Sequence, residues 1–535
     1  MRCTVAAVSV ALFLVSPFAA AHDHHAPDGA PAPAKLGAVS FGNSCRPQVR
    51  RDFNRAVALL HSFWLDEAER TFRKVAAADP DCAMAYWGES ISLLHLINGA
   101  PSMAEVAAGS AALAKASAAK ESSTREAGYV DALRVFYDGY APGRYLHNAS
   151  GYAEAMGALA AAYPGDVEAK VFYALALLAA DPPDDVALTN PSKAFAVLSP
   201  LLAQYPDHPG IAHYIIHACD NPAMARQGLE AARRYASIAP SAPHALHMPS
   251  HIFARLGLWQ DDIRSNLASK AAAEQERLHV GAENRLHAME FLEYAYLQTG
   301  ADDQARGVME EGRTVRASDV SPAYPDYYST VEGRFQSLFA IETQDWSRAA
   351  TLRPSAAGSP YGQGLTLLAN AIAAGHLRDA AAAREASRAF DALVSGERAV
   401  GLTGGLATLR DEIHAWADFS SGDRDAALGL LRPVADRQNR TGKGEVELPA
   451  GEMAADMLLM DRQATPALRQ YQASLRNDPN RFNALLGAGQ AAEQLGNTAL
   501  AVRYYRVLVG NCPRASGSAL RRLEHARAMA NAAHS

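Results

Sequence analysis

Residues 482 to 515 read FNALLGAGQAAEQLGNTALAVRYYRVLVGNCPRA, and this stretch decides the fold. Its apolar residues recur at steps of three and four, which predicts two amphipathic helices. Small residues at Gly489 and Ala501 let the two helices approach closely, and Tyr505 fills the space between them. Gly496 lies between the helical segments and opens the turn. The stretch therefore predicts a helical hairpin.

The same register recurs along the chain with a period of 34 residues. Its small, aromatic and proline positions are occupied by Ala467, Tyr471 and Pro479 in residues 448 to 481, and by Ala68, Phe72 and Pro80 in residues 49 to 82. The pattern resembles the tetratricopeptide repeat (TPR) superfamily. That resemblance implies an all-α fold, a tetratricopeptide-type alpha-solenoid of stacked helical hairpins.

Further repeat units begin near Ala83, Pro209, Pro243 and Leu286. The step of 43 residues between the last two predicts one longer second helix. Two segments, FNRAVALLHSFWLDEAERTFRKVAAADPDCAMAYWG and APHALHMPSHIFARLGLW, resemble a group of uncharacterised bacterial exported TPR proteins. That closer resemblance implies no particular activity.

The N-terminus has the layout of a secretory signal. A charge at Arg2 precedes an apolar run from Val5 to Phe18 and the small residues that end at Ala21. This predicts a signal peptide over residues 1–21 and a periplasmic or secreted protein. The run is short for a membrane span, and no other stretch of about 18 apolar residues occurs, so no span is expected after cleavage.

Composition divides the rest of the chain into five segments. They are a flexible leader rich in His, Pro and Ala (22–40), N-terminal TPR-like repeats (41–205), histidine-rich TPR-like repeats (206–300), degenerate helical repeats (301–447), and C-terminal TPR repeats with a capping helix (448–535). The net charge of -7 and the lack of a basic block argue against nucleic-acid binding.

Four cysteines follow the predicted signal. In an oxidising compartment an even number favours pairing. Cys45 precedes the first helix and Cys82 closes the first helix pair, so we expect a disulfide that pins the open N-terminal end. Cys219 and Cys512 are far apart in a linear array and are expected to be unpaired.

Histidines are concentrated in three consecutive units, where eight of the eighteen lie between His208 and His287. We number the positions of the three units from Pro209, Pro243 and Leu286. The fifth positions are then His213, His247 and Glu290, and the ninth positions are His217, His251 and Tyr294. The second positions of the last two units are His244 and His287. The TPR resemblance implies that second, fifth and ninth positions face the concave groove. Independently, residues four apart lie on one helical face.

We therefore predict a transition-metal site in the groove. Its ligands would be His213, His217, His247, His251 and His287, with Glu290 as a ligand or as an outer residue that orients one; His244, Tyr294 and Arg255 are further groove candidates. Imidazole suits copper, zinc or iron, whereas calcium and magnesium prefer oxygen ligands.

Two alternatives stay open at this point. The first is a scaffold that binds a peptide, a protein or a small molecule in the groove without metal. The second is a metal-dependent hydrolase, oxidase or oxygenase. Pro249 lies inside the helix that carries His247 and His251 and is expected to kink or end it. The sequence does not decide whether the chain is an enzyme.

Overall fold

The computed structural model describes residues 35–532, except 98, 121, 184, 277–278, 322–323, 396–403 and 445. Within these ranges the chain is all-α and has no β-strand; isolated bridges occur, such as the one between Ala301 and Ser516. Successive helices pack as antiparallel hairpins, each against its neighbours in the chain. The protein is an α-solenoid of TPR-like hairpins, as the repeat predicted.

The helices follow one another with short connections. In the first half they are α1 (Arg50–His61), α2 (Leu65–Ala78), α3 (Ala83–Ser92), α4 (Met103–Ala118), α5 (Thr124–Tyr137), α6 (Tyr145–Ala162), α7 (Val167–Ala179), α8 (Thr189–Gln204), α9 (Pro209–Cys219), α10 (Ala225–Ile238), α11 (Pro243–His247), α12 (Pro249–Arg255) and α13 (Trp259–Ala273). In the second half they are α14 (His279–Gln298), α15 (Asp302–Gly312), α16 (Tyr327–Glu342), α17 (Trp346–Thr351), α18 (Pro360–Leu377), α19 (Ala380–Leu393), α20 (Gly404–Ser420), α21 (Arg424–Thr441), α22 (Ala450–Met460), α23 (Ala464–Asn477), α24 (Phe482–Gln494), α25 (Thr498–Asn511) and α26 (Gly517–Ala532).

The hairpin of α24 and α25 shows why the repeat needs its small residues. A Cβ at Gly489 would overlap the ring of Tyr505, which is fully buried between the two helices. Gly496 adopts a positive φ of 71° in the turn, a conformation that costs a residue with a Cβ far more. The same close approach recurs between the first two units, where a Cβ at Gly88 of α3 would overlap the ring of Phe72 of α2.

The unit that begins at Pro243 has 43 residues where the repeat has 34, and its extra residues do not lie in its second helix as predicted. The second helix of that unit, α13, has an ordinary length and ends at Ala273, whereas α14 is extended to 20 residues by starting at His279. The prediction of a longer second helix was therefore wrong. Its apolar pattern did not locate the turn at residues 274–275, which carries no glycine or proline.

Buried cores cross two of the predicted segment boundaries. One cluster extends from Leu36 to Phe253 across the boundary at 205, and another extends from Ala340 to Met457 across the boundary at 447. Those boundaries mark changes in repeat regularity and do not separate folding units.

The predicted signal peptide lies outside the described residues, as does most of the leader. Residues 35–40, which the prediction included in the leader, pack on the repeats: Leu36 is buried, and Ala38 donates a backbone hydrogen bond to Asp207 (2.8 Å). The predicted flexible leader is thus too long at its C-terminal end. Beyond it, Cys45 and Cys82 form a disulfide that ties the entry of α1 to the end of the first hairpin.

The C-terminal repeats pack back on the middle of the array. The indole nitrogen of Trp259, at the start of α13, donates to the Asn480 carbonyl (2.9 Å). Next to it, the fully buried Arg481 binds carboxylates of Glu452 (2.6 Å) and Glu342 (2.7 Å) and the hydroxyl of Tyr294. One guanidinium therefore joins α14, α16, α22 and the start of α24.

No helix in the described part of the chain is both long enough and apolar enough to cross a bilayer.

We expect Arg481→Met to lower the free energy of unfolding by about 3–5 kcal/mol, because it leaves two buried carboxylates without their cation. Urea unfolding followed by circular dichroism measures the change. The exposed Arg503 on α25 provides the control, since Arg503→Met should shift stability by no more than about 0.5 kcal/mol. Equal effects of the two substitutions would show that the Arg481 network does not hold the repeats together.

Candidate metal centre

Three consecutive first helices carry the histidines. α9 and α11 each begin with a proline at the first helical position, Pro209 and Pro243, where the missing N–H would have no intrahelical partner. α12 packs on α9, and α11 packs on α14, so the three first helices lie side by side. Histidines on neighbouring first helices therefore meet along the lines of contact between those helices, which we call seams.

The first seam gathers His213 and His217 from α9 with His244 from α11. The Nε2 atom of His213 lies 3.1 Å from Nε2 of His217 and 3.1 Å from Nε2 of His244. One ligand nitrogen from each ring lies within 4.8 Å of the other two. We call this group the first triad.

The second seam gathers His247 from α11 and His251 from α12 with His287 from α14. The Nε2 atoms of His247 and His251 are 3.1 Å apart. The three rings again offer one nitrogen each within 4.8 Å of one another. We call this group the second triad.

The two triads follow one rule of register. Each combines the fifth and ninth positions of one unit with the second position of the next. The single cluster expected from the sequence is therefore two clusters, and His244, named only as a further candidate, completes the first. The division falls within α11, because His244 joins the first triad and His247 the second. The break at Met248 lies between His247 and His251, which belong to the same triad.

Acceptors behind the rings hold their Nδ1 atoms. His213 Nδ1 lies 2.6 Å from the backbone carbonyl of His61, and His247 Nδ1 lies 2.7 Å from Asn266 Oδ1. His251 Nδ1 lies 2.8 Å from Asp220 Oδ2. Each acceptor requires the proton on Nδ1, which leaves the lone pair on Nε2.

The Nε2 lone pairs converge as a result. His247 and His251 face each other across 3.1 Å with their Nδ1 protons engaged on the far sides. Two lone pairs at that distance repel unless a proton or a cation lies between them. The arrangement of outer acceptors is the one by which proteins orient histidines toward a metal ion.

Four of the six triad imidazoles are neutral at pH 7 because their pKa is lowered. Burial, followed by neighbouring imidazoles, holds the pKa of His213, His244 and His247 well below the usual value. Burial and then His251 lower the pKa of His217 to about 3. Because a metal ion binds the neutral ring, no proton has to be displaced from these four residues.

One phenylalanine covers each triad. The Phe63 ring lies 4.5 Å from the ring of His213 and stacks on His244 at 5.5 Å. The Phe291 ring lies 4.7 Å from His247 and 4.9 Å from His251. Phe63 has a positive φ of 52° at the turn after α1, the same backbone conformation that Gly496 adopts at the corresponding turn of its unit.

Three further predicted residues lie outside the triads. Glu290 Oε2 is 3.4 Å from His287 Nδ1, and Glu290 also binds Arg334 (2.7 Å), so it fits the outer, orienting role. Arg255 donates to Asp220 (2.9 Å), behind His251. Tyr294 is turned away from the triads, because its hydroxyl binds Arg481 in the core.

A third group lies beneath the first triad. His61 and His208 both bind the buried carboxylate of Glu168, at 2.9 Å and 3.0 Å, and the second nitrogen of His61 contacts the Tyr214 hydroxyl (3.0 Å). These partners occupy both nitrogens of His61. The group therefore serves to hold α1, whose last carbonyl orients His213.

Sequence reasoning missed the outer acceptors and the covering rings. Asp220 follows His217 by three residues and could have been found by its place at the end of α9. No local signal marks Asn266, Phe63 or the His61 carbonyl, which meet the triad histidines through packing of separate helices. Phe291 follows His287 by four residues on α14 and reaches His247 and His251 across helices.

Comparisons with known proteins are distant. No protein-family model and no curated protein matches the chain. The solved structure of the human IFIT1 dimer with m7Gppp-AAAA is similar, with a TM-score of 0.36 and 12% identity over 80% of this chain and 90% of that one. The APC/C hetero-tetramer Cut9–Hcn1 is similar, with a TM-score of 0.32 and 12% identity over 89% of this chain and 90% of that one. Similarity at this level assigns no function.

We expect His213 and His247 of the metal-free protein to carry the proton on Nδ1 at neutral pH, because each Nδ1 faces an acceptor. Two-bond 1H–15N correlation spectra of protein labelled at histidine report the tautomer, and His213→Gln and His247→Gln assign the signals. The exposed His147 is the internal control for a ring in water. Protons on Nε2 of His213 and His247 would contradict the orientation described.

Proposed function

We propose that this protein binds two transition-metal ions, one in each histidine triad. The observation that carries the proposal is the pair of Nε2 atoms of His247 and His251, 3.1 Å apart with their Nδ1 atoms held by Asn266 and Asp220. Three imidazoles are a common protein ligand set and leave a coordination position for an exogenous ligand.

Copper, zinc and iron are the ions that fit this ligand set. All six ligands are imidazoles, which suit these metals, whereas calcium and magnesium require several oxygens. The nearby carboxylates Asp220 and Glu290 lie behind rings and partly balance the charge of bound ions without coordinating them. Water bound at an open position of such an ion becomes more acidic, which is the basis of metal-assisted hydrolysis.

Metal-free binding of a peptide through the histidines is the weaker hypothesis. His213, His247 and His251 are buried, and ring faces are covered by Phe63 and Phe291. A peptide would reach only the partly exposed edges of the remaining rings. Nitrogen atoms that point at one another suit a small cation better than an extended chain.

Export is part of the proposal. The apolar N-terminal run is typical of a secretory signal. A disulfide between Cys45 and Cys82 persists in an oxidising compartment and is rare in the cytosol. These two features support our proposal that the protein works in the periplasm or outside the cell.

The metal content of the purified full-length protein tests the proposal. Untagged wild-type protein should hold two ions per chain by elemental analysis, and His217→Ala with His251→Ala should lose both, because each triad falls to two ligands. The single variants should each retain one ion. Circular dichroism should show the same helical content in all of them.

His147→Ala with His525→Ala is the matched control, since both of these histidines are exposed and lie outside the triads. Its metal content should equal that of the wild type. Equal metal content in the triad variant and the control would refute the proposed site.

The outer acceptors make a separate prediction. Asp220→Asn keeps the shape of the side chain but removes the charge that faces His251, so affinity of the second triad should fall roughly 10- to 100-fold. Competition with a chelator measures the two affinities. The first triad should be unchanged, and equal weakening of both would point to a general loss of structure.

A further inference from the structure

We infer that the two triads act as one dinuclear copper centre, in which both ions share a bridging oxygen ligand and bind dioxygen together. This inference rests on the proposed function, because it requires an ion in each triad. It goes beyond that function by coupling the ions and by naming the small molecule that they take.

The separation of the triads supports the coupling. Across the two triads, the ring centroids of His244 and His247 are 6.2 Å apart and those of His217 and His251 are 6.5 Å apart. Within the second triad, the centroids of His251 and His287 are 6.3 Å apart. Other centroid separations within the triads are 4.4 to 5.0 Å, so the nearest rings of different triads are only about 1 to 2 Å farther apart than most rings that share one triad.

The same short helical segment supplies both triads. His244 and His247 lie on α11, and His251 lies on α12 directly after the break at Met248. No separate structural element therefore has to stand between the two ions. The chain holds the triads in a fixed relation through local backbone geometry.

Charge explains why a shared ligand is needed. The ligand groups of both triads are imidazoles, which carry no negative charge, and no carboxylate of the described residues joins either group of three. Asp220 and Glu290 contact the Nδ1 side of their histidines and cannot bridge two ions from there. Two close cations repel each other, so an anion between them stabilises the pair.

Copper meets these conditions through its two oxidation states. Imidazole suits copper, and two monovalent ions repel each other less than two divalent ions. When dioxygen binds between them, each Cu(I) gives one electron and becomes Cu(II), and dioxygen takes up both electrons and becomes peroxide. The O–O bond stays intact, no proton is consumed, and the new dianion offsets the added positive charge.

Small molecules have a path to this position. His217, His244 and His287 are partly exposed, whereas His213, His247 and His251 are buried. The centre is therefore open along one edge and closed behind. Phe63 and Phe291 line it with apolar surface, which admits dioxygen and limits water.

The test uses full-length protein loaded with Cu(I) without oxygen and then exposed to dioxygen. We expect uptake of one dioxygen per two copper ions and a new near-ultraviolet charge-transfer band. The electron paramagnetic resonance (EPR) signal should be several-fold below the copper content, because two Cu(II) ions joined by a bridge pair their spins. His147→Ala should behave like the wild type.

Two variants that disrupt only the first triad test whether the two copper ions act together. His217→Ala and, as a milder change, His244→Gln weaken the first triad and leave the second intact. After exposure to air, either variant should give an EPR signal that accounts for its bound copper, without the charge-transfer band. A variant that keeps both the charge-transfer band and the weak EPR signal would overturn the inference.

The outcomes for the wild type separate the two proposals. Two bound copper ions with full EPR intensity would overturn the dinuclear centre and leave metal binding intact. A protein that binds zinc in both triads and does not bind copper would also overturn the dinuclear copper centre and leave metal binding intact. A wild-type protein that binds no metal at all would refute the proposed function itself.

Discussion

The candidate centre depends on one constraint, which is that the first helices of three successive hairpins lie side by side with their repeat registers aligned. Alignment brings the fifth and ninth positions of one unit next to the second position of the following unit. When all three positions are histidine, the seam becomes a group of three imidazoles. Because two consecutive seams meet this condition, the chain builds the same group twice.

The series ends where the next unit changes its residues. Its fifth and ninth positions are Glu290 and Tyr294, and these bind Arg334 and Arg481 instead of facing a further histidine. Glu290 still serves the second triad by facing His287 from behind. In this last unit, the fifth and ninth positions therefore supply ion pairs and hydrogen bonds and no metal ligands.

Orientation of the rings ties the centre to the rest of the fold. The acceptors come from α1, α13 and the residue after α9: the His61 carbonyl, Asn266 and Asp220. Glu168 holds His61 in turn, and Arg481 fixes α14, which carries His287, to the C-terminal repeats. Distant repeats therefore stabilise the position of ligands that they never touch.

Sequence alone determined the helical hairpins, the pairing of Cys45 with Cys82 as an expectation, and five of the six triad histidines as candidates for one site. It did so because period, small residues and helical spacing are local properties that can be read along the chain. Only the tertiary structure decided that the histidines divide into two triads, that His244 is a full member, and that Asp220 and Asn266 hold the rings. Those facts depend on side chains that meet across separate helices, where sequence distance carries no information about distance in space.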